Sequence, residues 1–162
     1  MLFSYEQTSR SIWMLSHLMH RQEEREDYPD IDDPDNTMVT KFRVTKQLPG
    51  GGNLSLRERF ASRKFKEDNH TVLVWKALLS GEDSCAGMQT EEVGWSIIRP
   101  SPTGTEAIVE VCMQQTPLYV HAGDIATRFE DLLHAILLEN SREITNGTNE
   151  LLLEHMLTGL DA

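Results

Sequence analysis

The apolar residues of this chain change their spacing twice, and this change constrains the fold more than any other feature of the sequence. They recur every third or fourth position from Tyr5 to about Glu26, every second position through most of residues 37 to 118, and every third or fourth position again after Gly123. A spacing near 3.6 is typical of an amphipathic helix, and a spacing of two is typical of a strand with one buried face. The sequence therefore predicts a helix, a block of strands and a long C-terminal helix.

Five strands are predicted in the middle block, at residues 37–48, 53–66, 70–83, 92–100 and 105–118. Short segments rich in Gly, Pro, Asn and Asp separate them, such as PGGGN and SPTG. Consecutive strands with short connections pair most simply with their sequence neighbours. We therefore expect one antiparallel meander.

The C-terminal helix carries a broad apolar stripe that must be buried. Asp124 is placed to cap its start, and Asn146-Gly147 is predicted to end it, before a shorter helix at residues 149–160. The stripe consists of Ile125, Phe129, Leu132, Leu133, Ile136 and Leu137. The only large apolar surface available to cover it is the concave face of the sheet. The prediction is an α+β helix-grip fold in one domain, residues 1–162, with a core at about 5–145 and a short helical extension at 146–162.

Spacing alone also predicts which residues form that concave surface. It is expected to contain Phe42, Val44, Trp75, Trp95, Val109, Val111 and Met113, facing Phe129, Leu133, Ile136 and Leu137 of the long helix. Glu110 falls on the other face of its strand, where we expect it to pair with an Arg of a neighbouring strand.

The strand HTVLVWKALLSGED, residues 70–83, is apolar on both faces. One face carries Leu73, Trp75, Ala77 and Leu79, and the other carries Val72, Val74 and Leu78. In a sheet with one wet face, one of these sets should be polar. The strand is therefore expected either to be covered on both sides or to line an enclosed apolar space.

The charge of the chain excludes one class of partner and leaves two interpretations of its distribution. The net charge is −11, which opposes binding to nucleic acids and allows at most transient contact with anionic membranes. Residues 21–36 hold eight acids and two bases, whereas residues 41–66 hold eight bases and only Glu58 as an acid. Either the two segments pair across the surface, which we favour, or the basic one docks phosphate groups or a partner.

No catalytic motif is visible, so neither an enzyme nor a cofactor is expected. His17, His20 and Glu24 would share a helix face, yet two imidazoles without a fourth ligand favour a solvated face over a metal site. Cys85 and Cys112 have no metal-ligand spacing, and no apolar run approaches the length of a membrane span. We expect a reduced, cytoplasmic protein. The loop at residues 81–92 is expected to be either a mobile entrance lid or an ordinary surface loop.

Several stretches together resemble the START-like proteins of oomycetes, a group that includes the mating-specific proteins, within the superfamily of StAR-related lipid-transfer domains. The stretches are WMLSHLMHRQEEREDY, DDPDNTMVTKFRVT, RKFKEDNHTVLVWKALLSGED and EEVGWSIIRPSPTGTEAIVEVCMQQTP, followed by the closing helix. The resemblance covers about residues 10–140 in order. Its most specific parts are the VLVWK strand and the pair GWxxxRP and EVCMxQxP.

The resemblance implies a helix-grip fold whose curved sheet encloses an apolar tunnel for a lipid or sterol. The predicted concave residues would then be the lipid-binding residues. Arg99 is predicted either to meet a ligand's hydroxyl or head group or, as the favoured alternative, to be an exposed Arg at the end of its strand. A full START domain opens with a further helix and additional strands before the helix found here, so the resemblance leaves open whether the tunnel closes. The alternative is a protein without a ligand that binds a partner or a second copy through its exposed sheet edge.

Overall fold

The computed structural model describes residues 3–17, 23–47, 52–104, 106–121 and 123–159 and contains one antiparallel sheet with two helices. The elements are α1 (Tyr5–Ser16), β1 (Glu23–Asp27), β2 (Thr37–Gln47), β3 (Asn53–Lys66), β4 (Thr71–Gly81), a 3-10 turn (Asp83–Cys85), β5 (Gln89–Pro100), β6 (Ala107–Tyr119) and α2 (Asp124–Gly159). The strands lie in the order β1-β2-β3-β4-β5-β6. This confirms the α+β helix-grip arrangement, a curved antiparallel meander packed on a long C-terminal helix.

Strand β1 was not predicted, because it has no apolar residue. Its sequence is EERED, and residues 23–26 had been assigned to the first helix. Cross-strand charge pairing stabilises it as a strand, since Glu23 lies opposite Arg43, and Glu26 lies opposite Lys41 on β2. The helix α1 ends before it, at Ser16.

Helix α1 begins at a capping box and packs on one end of the sheet. The Ser4 hydroxyl accepts a hydrogen bond from the Gln7 backbone N–H, and the Gln7 side chain accepts one from the Ser4 N–H, both at 3.3 Å. Its buried stripe contains Tyr5, Thr8 and Ile12, which confirms the predicted amphipathic helix for the first part of residues 5–26. This stripe packs with Leu73, Ile98 and Ala107 of the sheet in what we call the α1 core.

Helix α2 is one continuous helix, so the predicted break at Asn146-Gly147 is wrong. A Cβ on residue 147 would lie 2.9 Å from Cδ2 of Leu15, a distance that real Cβ atoms do not show. The glycine therefore serves the close approach of α1 rather than a helix end. Thr148 and Leu152 are fully buried beyond it, in the segment predicted as a separate extension.

The first half of α2 covers the other end of the sheet in what we call the α2 core. Phe129, Leu133 and Ile136 are buried here against Phe42 and Val44, as predicted. Leu54, Leu56, Ala77 and Leu79 complete the contact from β3 and β4. We call the face of the sheet that carries both cores the inner face.

The opposite, outer face carries an uncovered apolar patch among charged residues, so neither expectation for the double-sided strand holds there. Val74 of β4 lies opposite Trp95 of β5, which in turn lies opposite Cys112 of β6. Val74, Trp95 and nearby Val93 are exposed. Both described helices pack on the inner face, which leaves this surface open within the described part of the chain.

Candidate functional site

A group of polar side chains interrupts the apolar inner face between the two cores. Glu58 of β3, Trp75 of β4, Glu92 of β5 and Gln115 of β6 all lie on this face. Glu92 has Ala77 as its neighbour on β4 and Gln115 as its neighbour on β6. We call these four residues the polar centre.

Glu92 is held by two neutral donors. The indole N–H of Trp75 donates to Oε1 of Glu92 at 2.9 Å, and the amide Nε2 of Gln115 donates to Oε2 at 2.9 Å. Each carboxyl oxygen therefore has a partner, while none of the described basic side chains pairs with this carboxylate. The arrangement fixes the side chain without neutralising its charge.

Gly94 sets the position of the Trp75 ring. A Cβ on residue 94 would collide with Cζ2 and Cε2 of Trp75, because the indole lies directly over this glycine. The ring is thereby placed so that its N–H reaches Glu92 on the same strand as the glycine. Sequence analysis treated GWSIIRP only as a strand and missed this role.

Glu58 is the most unusual member of the polar centre because it is buried without a hydrogen-bond partner among the described residues. It is 7% exposed, its neighbours across the sheet are Phe42 and Leu79, and no described group donates to its carboxyl. Burial, and to a lesser degree the charge of Glu92, raise the pKa of Glu58 to about 8 from 4.5. At neutral pH Glu58 therefore retains its proton.

The sequence contained a signal for Glu58 that the analysis did not use. Along β3 the inner face is expected at Leu54, Leu56, Glu58 and Phe60, so the single acid of the basic segment falls on the apolar side of the alternation. The same reasoning applies to Glu92, which alternates with buried Thr90. A carboxylate at an inward position is rarely buried without a purpose or a partner.

A pocket of about 390 Å³ adjoins the polar centre beneath the first turns of α2. Its lining includes Thr90, Gln115 and Pro117 from the sheet side and Phe129, Leu133 and His134 from the helix. Gln115 belongs to both sites, because its amide donates to Glu92 while its side chain lines the pocket. Glu130 and Asp131 of α2 also line the pocket, so a molecule in it would contact both apolar and charged side chains of the helix.

The structure places most of the predicted concave residues on the inner face but gives them different surroundings. Phe42, Val44 and Ile136 are packed in the α2 core, and Phe129 and Leu133 belong both to that core and to the pocket. Val109 packs against the α1 core. Trp75 and Met113 are half-buried, whereas Val111 is 63% exposed at the β6 edge.

Trp95 does not lie on the inner face, so its predicted placement is wrong. Trp95 pairs across the sheet with Val74 and Cys112 on the outer face, where it is 42% exposed. The prediction chose the wrong one of the two alternating sets of β5 residues, because Gly94 rather than Trp95 belongs to the inner face. Arg99 lies at the end of β5 with its side chain 41% exposed, as the favoured alternative predicted. Arg99 donates through Nε to Glu110 at 3.0 Å, away from the pocket. This pair confirms the expected position of Glu110.

The two charged segments pair with each other, as the favoured interpretation predicted. Glu24 accepts hydrogen bonds from Arg43 at 3.1 Å and Arg57 at 2.9 Å, and Glu82 accepts from the same two arginines at 2.6 and 2.8 Å. Burial alone would raise the pKa of Glu82, but the hydrogen bonds from Arg57 and Arg43 lower it. These arginines are therefore engaged within the chain.

The loop between β4 and β5 is anchored rather than free, which argues against the entrance lid. Cys85 and Met88 are fully buried in the α2 core, and Glu82 is held by the arginine pairs just described. The N–H of Gly81 also donates to the carbonyl of Met88 at 2.9 Å. The short 3-10 turn closes the end of the α2 core.

The described residues contain no group of three or more His, Cys, Asp or Glu side chains arranged to hold a metal ion. Of the three residues considered above, His17 follows the end of α1, Glu24 lies in β1, and His20 lies outside the described residues. None of the helices described is both long and apolar enough to cross a membrane.

The chain was compared with protein-family models, with curated proteins and with solved structures, and none of the three comparisons finds a match.

Proposed function

We propose that this chain is a non-catalytic, cytoplasmic, START-like domain that binds a lipid or sterol between the inner face of its sheet and α2. The observation that carries the proposal is the polar centre beside a pocket with apolar side chains in its wall. Ligand sites are commonly cavities of about 300–1,000 Å³ with a few convergent polar groups, and the pocket of about 390 Å³ falls within that range of volume. Phe129 and Leu133 supply an apolar wall, and Gln115 supplies a link to the polar floor.

The polar centre suits binding better than catalysis. A nucleophile with an adjacent base would be the usual sign of covalent chemistry, and Glu92 is instead bonded to an indole and an amide, which do not exchange protons at neutral pH. Both cysteines are free thiols, which agrees with a reducing compartment.

The test is binding of a fluorescent sterol and a fluorescent fatty acid to the wild type and to two variants. His134→Trp adds bulk at an exposed pocket position, so it should weaken binding at least tenfold without affecting thermal unfolding. Arg142→Trp, at an exposed position elsewhere on α2, is the matched control. The proposal fails if neither probe binds the wild type at micromolar concentration, or if both variants bind equally well.

A second function is favoured by the contrast between the two edges of the sheet. All five residues of edge strand β1 are charged. Edge strand β6 has thirteen residues and a single charged one, Glu110, which is paired with Arg99. Val111 and Tyr119 of β6 are largely exposed. An edge strand with few charges accepts another strand, so the proposed partner is β6 of a second copy, in antiparallel register.

Light scattering after size-exclusion chromatography tests this homodimer. Val111→Lys should convert a concentration-dependent dimer into a monomer, while Leu153→Lys, at an exposed apolar position of α2, should leave the dimer intact. A wild type that stays monomeric at every concentration rules the dimer out.

A further inference from the structure

The polar centre has more hydrogen-bond acceptors than donors. Glu58 and Glu92 supply four carboxyl oxygens, and only the two of Glu92 accept a hydrogen bond from a described group. None of the described basic side chains pairs with either carboxyl. Two lysines on the inner face are engaged elsewhere, since Lys46 pairs with Glu139, and Nζ of Lys64 lies 4.9 Å from the centre of the Trp13 ring.

One side chain of the polar centre is almost completely buried and lacks a partner in the described part of the chain. Glu58 is 7% exposed, and its carboxyl receives no hydrogen bond from the described residues. A buried polar group without a partner costs about 1–3 kcal/mol. Glu58 therefore favours a ligand that supplies a hydrogen bond at the polar centre.

The polar centre is only partly covered, because Trp75, Glu92 and Gln115 are half-buried. The pocket adjoins the polar centre through Gln115. An apolar chain lying along Phe129 and Leu133 would bring its head group to Glu92.

Resting on the proposed lipid-binding function, we infer that the lipid carries a protonated primary amine as its head group. An ammonium group supplies three donors and one positive charge, which match the open carbonyl oxygen of protonated Glu58 and the carboxylate of Glu92, which has no basic partner among the described residues. A neutral hydroxyl supplies one donor and leaves the charge uncompensated. A carboxylate or phosphate would add a second negative charge to a site of low dielectric, which opposes its binding.

The experiment compares three probes with the same twelve-carbon chain, namely dodecylamine, dodecanol and dodecanoate, each below its micelle-forming concentration. Calorimetric titration of the wild type should give an affinity for dodecylamine at least tenfold higher than for dodecanol and dodecanoate. The preference should persist at raised salt, where attraction of an amine to the acidic surface is screened.

Two variants locate the preference at the polar centre. Glu92→Gln removes the charge, and we expect it to reduce the affinity for dodecylamine at least tenfold while changing the affinity for dodecanol less than threefold. Glu58→Gln removes an acceptor without removing a hydrogen-bonded partner, and a fewfold loss for dodecylamine is expected. Glu110→Gln, an exposed carboxylate on the outer face, should change neither affinity.

The outcomes separate the two proposals. If none of the three probes binds, the lipid-binding function itself fails. If dodecanol or dodecanoate binds as tightly as dodecylamine, or if the amine preference survives in both Glu92→Gln and Glu58→Gln, the function stands and the inferred head group is wrong. Thermal unfolding of each variant distinguishes lost affinity from lost structure.

Discussion

Replacing Glu58 by Gln should change how the stability of the protein depends on pH. The pKa of Glu58 is about 8 in the folded chain and 4.5 as an ordinary value, so the unfolded chain releases this proton first as the pH rises. The contribution of Glu58 to stability is therefore fully present below about pH 4.5 and is lost as the pH approaches about 8. The difference between the two pKa values corresponds to ~5 kcal/mol, which is comparable to the whole stability of a small domain.

Urea unfolding across this pH window measures the effect. Gln does not titrate, so its buried amide adds a cost that is the same at every pH, and the stability of Glu58→Gln relative to the wild type should rise steadily between about pH 4.5 and about pH 8. Glu110→Gln serves as the control, because this carboxylate is exposed and paired with Arg99. Parallel curves for the wild type and Glu58→Gln would refute the assignment of a buried, protonated carboxyl.

Three further substitutions test contacts at other places in the fold. Gly94→Ala should displace the Trp75 indole and lower the free energy of unfolding in urea by about 1–3 kcal/mol. The near-ultraviolet circular dichroism of the protein should change as well, and an unchanged spectrum would contradict the position of the ring over Gly94. Gly147→Ala should lower the free energy of unfolding, because the added Cβ meets Leu15, and Leu15→Ala in the same chain should recover part of that loss. If the two substitutions instead change the free energy of unfolding additively, the two residues are not in contact. Ser4→Ala should cost about 1 kcal/mol by removing the helix cap, and a stability unchanged in urea would show that the capping box is not formed.

The strands β2 to β6 could be predicted because their spacing of two is regular and their turns contain strong signals. The predicted and observed bounds of β3, residues 53–66, are identical. Strand β1 could not be predicted in this way, since Glu24 and Glu26 are held by ion pairs with bases that are distant in sequence, on β2 and β3. A local pattern carries no information about such partners.

The candidate site was harder to predict than the fold because its residues depend on parity and on packing. The prediction placed Trp95 instead of Gly94 on the inner face of β5, an error of one position. An error of one position in a strand moves every side chain to the other face. Gly147 was assigned to a helix end because glycine often occupies that position, and only the approach of Leu15 explains its place in the helix interior. Glu58 was counted as surface charge, although its alternation with Leu54 and Leu56 already placed it inward.

The contact between Gly147 and Leu15 also determines when this chain can complete its fold during synthesis. The two residues are 132 positions apart (147 − 15), so the apolar stripe of α1 leaves the ribosome long before the part of α2 that packs beside it. Until residue 152 has emerged, Tyr5 and Ile12 and the inner face of the sheet lack half of their cover. Contacts between such distant segments form slowly, and exposed apolar surface in the meantime favours aggregation. A nascent chain of this protein should therefore bind chaperones until residue 152 of α2 has left the ribosome.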